Sequence, residues 1–159
     1  MVVSPRRHNM KTKVKATGSA KEYYILQWTW GILMNIIGAC VCLYAVIRKW
    51  PIDKYRNAIR ITCPKAKAWS GVSFGMFIMT GEGYDSSLPH EYGHSIQNAH
   101  WGLLFPFVVA IPSATRLWYR EFKYHRKGLT PPTKYDDIWF EGEATQLGRM
   151  ANENAWNWL

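Results

Sequence analysis

The chain has 159 residues, which is enough for one domain with a modest hydrophobic core and too few for two ordinary domains. Its net charge of +9 comes from 20 lysines and arginines against 11 acidic residues, but nine of those acids lie from Glu82 onward, so the basicity is local. The cysteines, Cys40, Cys42 and Cys63, form neither a disulfide framework nor a C-x-x-C metal knuckle, which excludes the disulfide-rich and zinc-knuckle classes.

The N-terminal part of the chain has the pattern of a membrane anchor. Residues 1–22 are basic and lack apolar periodicity, so we expect a disordered juxtamembrane arm that contacts lipid headgroups rather than nucleic acid. The uncharged run Tyr23–Ile47 has 25 residues, which at about 1.5 Å per helical residue exceed the roughly 30 Å of a bilayer's hydrocarbon core. The sequence therefore predicts one transmembrane helix at residues 23–47.

The alternatives for this run are a helix buried in a soluble core and a cleaved signal peptide. The run is longer than the apolar region of a signal peptide and no A-x-A site follows it, so we favour a single-pass membrane protein. Six cations precede the run and seven follow it, so the positive-inside rule leaves the side of the membrane that holds the rest of the chain unresolved.

The segment after the apolar run is polar and then becomes rich in glycine. Residues 48–67 are predicted to be a basic connector, and residues 68–159 a small, mainly helical domain. Trp69–Gly83 is rich in Phe, Ile and Val and is bounded by glycines, which indicates one or two strands. An edge strand of this kind can pair with an extended peptide, with ordinary core strands as the alternative. The expected fold class is α+β, with one transmembrane helix before a helical domain that has a short glycine-rich β element.

The segment "LPHEYGHSIQNAHWG" contains three histidines and one glutamate. Its H-E-x-x-H pattern places His90 and His94 on one face of a helix, one turn apart. Two imidazoles so placed can bind one Zn²⁺ ion, and Glu91 can then act as general base toward metal-bound water. His100 has the spacing of a third histidine ligand, but Gln97 occupies the position where a glycine turns the chain back in such sites, so we expect His100 to end the helix.

The remaining chain is predicted to contain one apolar segment and two helices. Trp101–Pro112 is too short to span a bilayer and is either core or an interfacial or re-entrant segment. A basic amphipathic helix follows, with Ser113 as its predicted cap. The last helix is predicted to start around Asp136 or Asp137 and to run to the end of the sequence.

The last helix carries two candidate carboxylate ligands, Glu141 and Glu143. Glu141 shares a helix face with Ala144 and Gly148, and small residues let two helix backbones approach closely. Glu143 shares its face with bulkier residues, which makes it the second choice as metal ligand. The alternative for both is that they are solvated acids that stabilise the helix N-terminus.

The order and spacing of four segments resemble a known family. "GVSFGMFIMTG", "LPHEYGHSIQ", "WGLLFPFVVAIPS" and "YDDIWFEGEATQLG" are similar to segments of small membrane-associated H-E-Y-G-H proteins of gluzincin type. In gluzincins a downstream helix brings a glutamate in an E-x-x-A context to the metal. The resemblance covers about Gly71–Met150 and implies a zinc site with His90, His94 and Glu141 as ligands and Glu91 as base.

This resemblance departs from the gluzincin pattern at Thr145, where many gluzincins have an aspartate that orients a ligand histidine. Candidate replacements for that aspartate are Asp85, Asp137 and Glu143. The further candidates to contact a substrate or to orient a ligand are Tyr84, Asp85, Tyr92, Gln97 and Tyr135.

Together these features predict a membrane-anchored zinc-dependent metallopeptidase, or a metallopeptidase-like hydrolase, that cleaves peptide bonds. Its expected partners are a lipid bilayer and a peptide or protein substrate, with no specific nucleic acid. One alternative is a non-catalytic membrane protein with a structural zinc site. Another is a basic membrane-surface or nucleic-acid module in which the histidines are incidental.

Overall fold

The structure is a computed structural model that describes residues 19–66, 71–83 and 85–153. The helices in this part of the chain are α1 (Ala20–Trp28), α2 (Ile32–Ile47), α3 (Leu88–Trp101), α4 (Ile111–Lys123) and α5 (Trp139–Asn152). The strands are β1 (Ile52–Tyr55), β2 (Ala58–Cys63), β3 (Gly71–Phe74) and β4 (Phe77–Gly81). The predicted α+β class is confirmed. Residues 1–18 of the predicted arm (residues 1–22) lie outside the described residues. Residues 20–22 form the start of α1.

The strands form one mixed sheet in the order β1-β2-β4-β3. The β1–β2 and β3–β4 pairs are antiparallel, and β2 runs parallel to β4. The predicted glycine-rich strands are thus confirmed as β3 and β4, which are joined by a turn at Gly75 with φ +63°. Asn35 Oδ1 accepts a hydrogen bond from the backbone N–H of Met76 in this turn at 2.8 Å, so the turn is fixed to α2.

The prediction of a connector at residues 48–67 is wrong, because β1 and β2 lie within this segment. Arg60 pairs across the two strands with Asp53, and its Nε atom lies 2.9 Å from Asp53 Oδ1. Ala58 and Ile61 are buried. The charged residues that the structure describes in this segment are exposed or half-buried, so the composition resembles that of a polar linker.

The prediction of an uninterrupted transmembrane helix at residues 23–47 is also wrong. The run forms α1 and α2, which are bent by 90° at the break between them. Buried polar side chains account for the bend. Gln27 Nε2 donates to the carbonyl oxygen of Ser95 at 2.8 Å, and Asn35 Nδ2 donates to the carbonyl oxygen of Gln27 at 2.5 Å. A buried side-chain amide without a hydrogen bond costs more free energy than a break in the helix. The chain therefore bends where the amides of Gln27 and Asn35 both form hydrogen bonds.

Among the described residues, no single helix is long and apolar enough to cross a membrane. Two bent pairs reach the required length and composition only together. They are α1 with α2, and residues 85–104 with residues 106–127, the latter bent by 118°.

The central helix is α3, which is buried at every residue from Glu91 to Ala99. It packs against α5, against β3 and β4, and against α1. Its apolar side chains, among them Tyr92 and Ile96, belong to the main core together with Ile78 and Leu147. The helix that carries the H-E-x-x-H motif is therefore fixed by packing against two helices and the sheet.

The close approach predicted from the small face of the last helix is confirmed. A Cβ atom added to Gly148 would lie 1.7 Å from the carbonyl oxygen of Pro89. A Cβ atom added to Gly93 would lie 1.9 Å from the carbonyl oxygen of Ala144. Both distances are far below van der Waals contact, so the α3–α5 spacing requires glycine at these two positions.

The segment between α3 and α5 is partly core and partly surface. A 3₁₀ turn (Gly102–Leu104) and a π-helical stretch (Pro106–Ala110) lead into α4, which starts at Ile111 rather than after a Ser113 cap. Phe105 and Val109 are buried against Met34 of α2. A further 3₁₀ turn at residues 135–137 precedes α5, so the last helix begins at residue 139.

Candidate metal centre

Three side chains predicted as metal ligands meet at the α3–α5 contact. Oε2 of Glu141 lies 3.1 Å from Nε2 of His90 and 3.2 Å from Nε2 of His94. One ligand atom from each of the three residues lies within 4.8 Å of the other two. Glu141 is 0% exposed, so its carboxylate has the two imidazoles as close partners in place of bulk water.

This spacing fits a tetrahedral zinc ion. Two ligand atoms that bind one such ion at about 2.0–2.2 Å are roughly 3.3–3.6 Å apart. The observed 3.1 and 3.2 Å need only a small outward movement of the side chains. Two imidazole nitrogens and one carboxylate oxygen are also a donor set that zinc takes in hydrolytic sites, so the residues fit the predicted ion.

The outer nitrogen of each histidine has a partner that orients the ring. His94 Nδ1 lies 2.8 Å from Oε1 of Gln97, and Nε2 of Gln97 donates to an oxygen of Glu143 at 2.8 Å. Because an amide oxygen only accepts, His94 donates from Nδ1 to Gln97, and once Nε2 gives up the proton that it shares with Glu141, Nε2 can bind a metal. His90 Nδ1 lies 2.8 Å from the hydroxyl oxygen of Thr145. Gln97 and Thr145 thus take the orienting role that the sequence left open.

The two candidate glutamates of α5 have different places. Glu141 faces both histidines, whereas Glu143 accepts a hydrogen bond from Gln97. The geometry therefore favours Glu141 as the carboxylate ligand. Glu143 is connected to His94 only through the side-chain amide of Gln97.

The second oxygen of Glu141 has a donor of its own. The hydroxyl of Tyr135 donates to Oε1 of Glu141 at 3.2 Å, and Ser113 lines the same cavity as Tyr135. Burial raises the pKa of Glu141, but the hydrogen bonds from His90 and His94 outweigh it and hold that pKa well below its usual range. Glu141 is therefore an anion that can bind a cation without first losing a proton.

Ser113 is a site residue that the sequence analysis missed. The sequence predicts a helix cap at Ser113, whereas this residue lies within the first turn of α4 and lines the cavity together with His90, His94 and Tyr135. Its position at the end of the apolar segment "VVAIPS", which forms part of the resemblance, is the one signal that pointed to it.

Glu91 lies beside the three ligands and is 7% exposed. Its side chain packs on the backbone of Gly71 in β3, where an added Cβ atom would lie 2.5 Å from Oε1 of Glu91. Burial raises the pKa of Glu91, and the nearby His94 and His90 oppose this effect only in part. A carboxylate whose pKa is raised toward neutrality is better suited to take up and release a proton.

The candidate ligands open onto a cavity of about 290 Å³. His90, Glu91 and His94 line it together with Tyr135 and the strand β3. Its remaining wall is mostly apolar, with Phe105, Val109, Leu117 and Trp118. A second cavity of about 440 Å³ shares His90, Glu91 and Tyr135 and is bordered by the acidic residues Glu121 and Asp136. Both cavities therefore adjoin His90, Glu91 and Tyr135.

Several residues predicted near the site lie elsewhere. Tyr92 faces the core, where its ring centroid is 5.9 Å from that of Tyr55. Asp85 pairs with Arg60 at 2.7 Å. Tyr84 lies outside the described residues.

Two further candidates also point away from the ligands. Asp137 accepts a hydrogen bond from the backbone N–H of Lys134 at 2.8 Å. His100 lies in the last turn of α3, with Nδ1 3.1 Å from the carbonyl oxygen of Ile96. The helix therefore ends one residue after His100, as predicted to within one position.

No protein-family profile, curated protein or solved structure was found that matches the chain. The resemblance to H-E-Y-G-H proteins of gluzincin type therefore stays a prediction. The positions of His90, His94 and Glu141, and the partners that orient the two histidines, indicate a metal centre.

Proposed function

We propose that the chain is a zinc-dependent metallopeptidase, or a hydrolase of the same chemistry, that cleaves peptide bonds. The observation that carries this proposal is the group of His90, His94 and Glu141 next to the buried Glu91 and open to a cavity. Three protein ligands of this kind leave a fourth position on the ion, which is typical of catalytic rather than structural zinc. When bound, zinc would lower the pKa of water and polarise the scissile carbonyl.

The side chains of this protein would then handle protons and orientation. Glu91 accepts the proton of the attacking water at a carboxylate oxygen and returns it to the leaving amine nitrogen. Gln97 and Thr145 hold the imidazole rings in place, while Tyr135 holds the carboxylate of Glu141.

The position of β3 supports a peptide as the substrate. Among the described strands β3 lies at the edge of the sheet, and Gly71, Val72 and Ser73 line the cavity next to Glu91. An extended peptide can add to such an edge by backbone hydrogen bonds, which would align its scissile bond with the site. The apolar wall at Val109, Leu117 and Trp118 favours an apolar side chain beside that bond.

The metal content of four purified proteins tests the ligand set. We expect the wild type to hold one zinc ion per chain, and His90→Ala and Glu141→Ala to lose most of it, because removal of one of three ligands leaves too few donors. Glu143→Ala should keep the ion, because Glu143 contacts Gln97 rather than the metal position. Zinc is measured by elemental analysis after dialysis, alongside circular dichroism to verify folding.

Glu143→Ala is the matched control, since it removes a glutamate from the same helix two positions away. Loss of zinc from Glu143→Ala together with retention in Glu141→Ala would reverse the assignment. A wild-type protein that stays free of zinc when the ion is supplied in excess would contradict the proposed function.

Zinc affinity is expected to fall as the pH is lowered. Burial lowers the pKa of His94, but its hydrogen bond to Glu141 and the charge of Glu91 outweigh this effect and raise that pKa above its usual value. Below that raised pKa His94 is protonated, so zinc must displace a proton to bind. We expect affinity to fall about tenfold per pH unit once the pH drops below the raised pKa, beginning above the ordinary value of about 6.5.

Titration of the metal-free protein with zinc against a competing chelator, between pH 5.5 and 8, measures this dependence. Calorimetry in two buffers of different ionisation enthalpy counts the protons that are released. An affinity that stays constant over this range, with no proton release, would mean that the histidines do not bind the ion.

A further inference from the structure

The outer side of α2 and of residues 103–111 forms a large exposed apolar surface, which we call the apolar face. On α2 it includes Leu43, 62% exposed, and Ile47, 70% exposed. On residues 103–111 it includes Leu104, Ile111 and Phe107, the last being 67% exposed. Contiguous apolar surfaces of this kind are rare on soluble monomers and indicate a binding surface.

The two parts of the apolar face are neighbours in the fold. Met34 on the inner side of α2 packs with Phe105 and Val109 on the inner side of the other segment. Both segments therefore border the same small core, and their exposed apolar side chains lie on its outer side. The sequence of α2 contains no charged residue, and its polar Asn35 faces inward to Gln27 and the β3–β4 turn.

Exposed cations follow both helices that contribute to the apolar face, α2 and α4. Arg48 and Lys49 directly follow α2 and are exposed. Arg126 and Lys127 follow α4 and are exposed, and the guanidinium carbon of Arg126 lies 4.3 Å from the ring centroid of Phe122. An apolar face flanked by cations is complementary to the acyl boundary and the anionic headgroups of a lipid leaflet.

We propose that the apolar face embeds in one leaflet of an anionic bilayer, with α2 lying in the plane of the membrane. The 16 residues of α2 span only about 24 Å, which is less than the roughly 30 Å of a hydrocarbon core. One side of α2 is also occupied by protein, since a Cβ atom added to Gly38 would lie 2.6 Å from the carbonyl oxygen of Phe74. Because α2 is too short to cross the bilayer, its exposed apolar side can be buried in the acyl boundary of one leaflet while its other side stays on the protein.

A second copy of the chain fits this face less well. In a two-fold dimer the same patch meets itself, so the cations that flank the face would be brought toward their own copies. Such like-charge contacts oppose association, whereas anionic headgroups neutralise them. This inference does not depend on the metal centre.

Synthesis of the full chain in a cell-free system that contains sealed vesicles tests the proposal. Flotation should recover the protein with vesicles of phosphatidylcholine and phosphatidylglycerol, with about fivefold weaker binding for each cation removed in Arg126→Gln and Lys127→Gln. The triple variant Leu43→Gln/Ile47→Gln/Phe107→Gln should lose at least about tenfold in binding to the same vesicles. Arg149→Gln, which removes an exposed cation of α5, is the matched control and should bind as the wild type does.

Two further measurements keep the test decisive. Each single variant, such as Leu43→Gln, is assayed separately and its fold verified by circular dichroism, so that a misfolded triple variant does not decide the outcome. Protease added outside the vesicles should remove tags from both ends of the chain. A protected end, equal recovery of the triple variant, or a stable dimer that ignores vesicles and is broken by these substitutions would overturn the proposal.

Discussion

Replacing Glu91 with glutamine is expected to reduce peptide hydrolysis by about 10²- to 10⁴-fold while the zinc content stays unchanged. Glutamine has nearly the same shape, so it fits the space beside Gly71 that the carboxylate now fills. Its amide cannot take up a proton from water, so the loss measures the general-base step alone. The ligands are untouched, because His90, His94 and Glu141 reach the metal position without Glu91.

The experiment uses a library of unstructured peptides, with products identified by mass spectrometry, and zinc measured on the same samples. Glu143→Gln is the matched control: it makes the same chemical change at a site that contacts Gln97, and we expect it to keep most of the activity. Equal rates for the wild type and Glu91→Gln would exclude Glu91 as the base.

A comparison of the wild type with His94→Ala separates catalysis from a structural role for zinc. If the wild type holds stoichiometric zinc but hydrolyses no peptide, and His94→Ala unfolds the chain, the ion is a structural staple. The cavity beside Glu91 argues against that alternative, because structural zinc sites have four protein ligands and no open position.

Local spacing predicted the parts of the site that lie on single helices. His90 and His94 share a helix face because positions i and i+4 always do, and Glu141 heads a face of small residues for the same reason. Which residues share one face of a helix can therefore be predicted from the sequence. The partners that orient the ligands cannot, since Thr145 reaches His90 only once α5 has docked on α3.

The error at residues 23–47 has a physical cause of the same kind. Hydropathy averages over a window and counts Gln27 and Asn35 as minor interruptions, whereas their amides bend the chain by bonding to each other and to Ser95. Ser95 lies on α3, 68 positions after Gln27 in the sequence. A hydropathy pattern within one segment cannot predict contacts with residues so distant in the sequence.

Replacing Gly148 with alanine is expected to lower the free energy of unfolding by about 3 kcal/mol and to abolish zinc binding. The new Cβ atom would lie 1.7 Å from the carbonyl oxygen of Pro89, and a backbone atom cannot turn aside as a side chain can. α5 must therefore move away from α3, and Glu141, which lies two helical turns before Gly148, moves with it. Chemical denaturation measures the stability and elemental analysis the zinc.

Arg149→Ala is the neighbouring control, because Arg149 is exposed and its ion pair with Glu153 spans 4.0 Å at the surface. A surface pair of this kind contributes about 0–1 kcal/mol, so this variant should keep both its stability and its zinc. Gly93→Ala repeats the test from the other helix, since its Cβ atom would lie 1.9 Å from the carbonyl oxygen of Ala144. If both glycine variants fold and bind zinc as the wild type does, α3 and α5 are farther apart than described, and Glu141 cannot share an ion with His90 and His94.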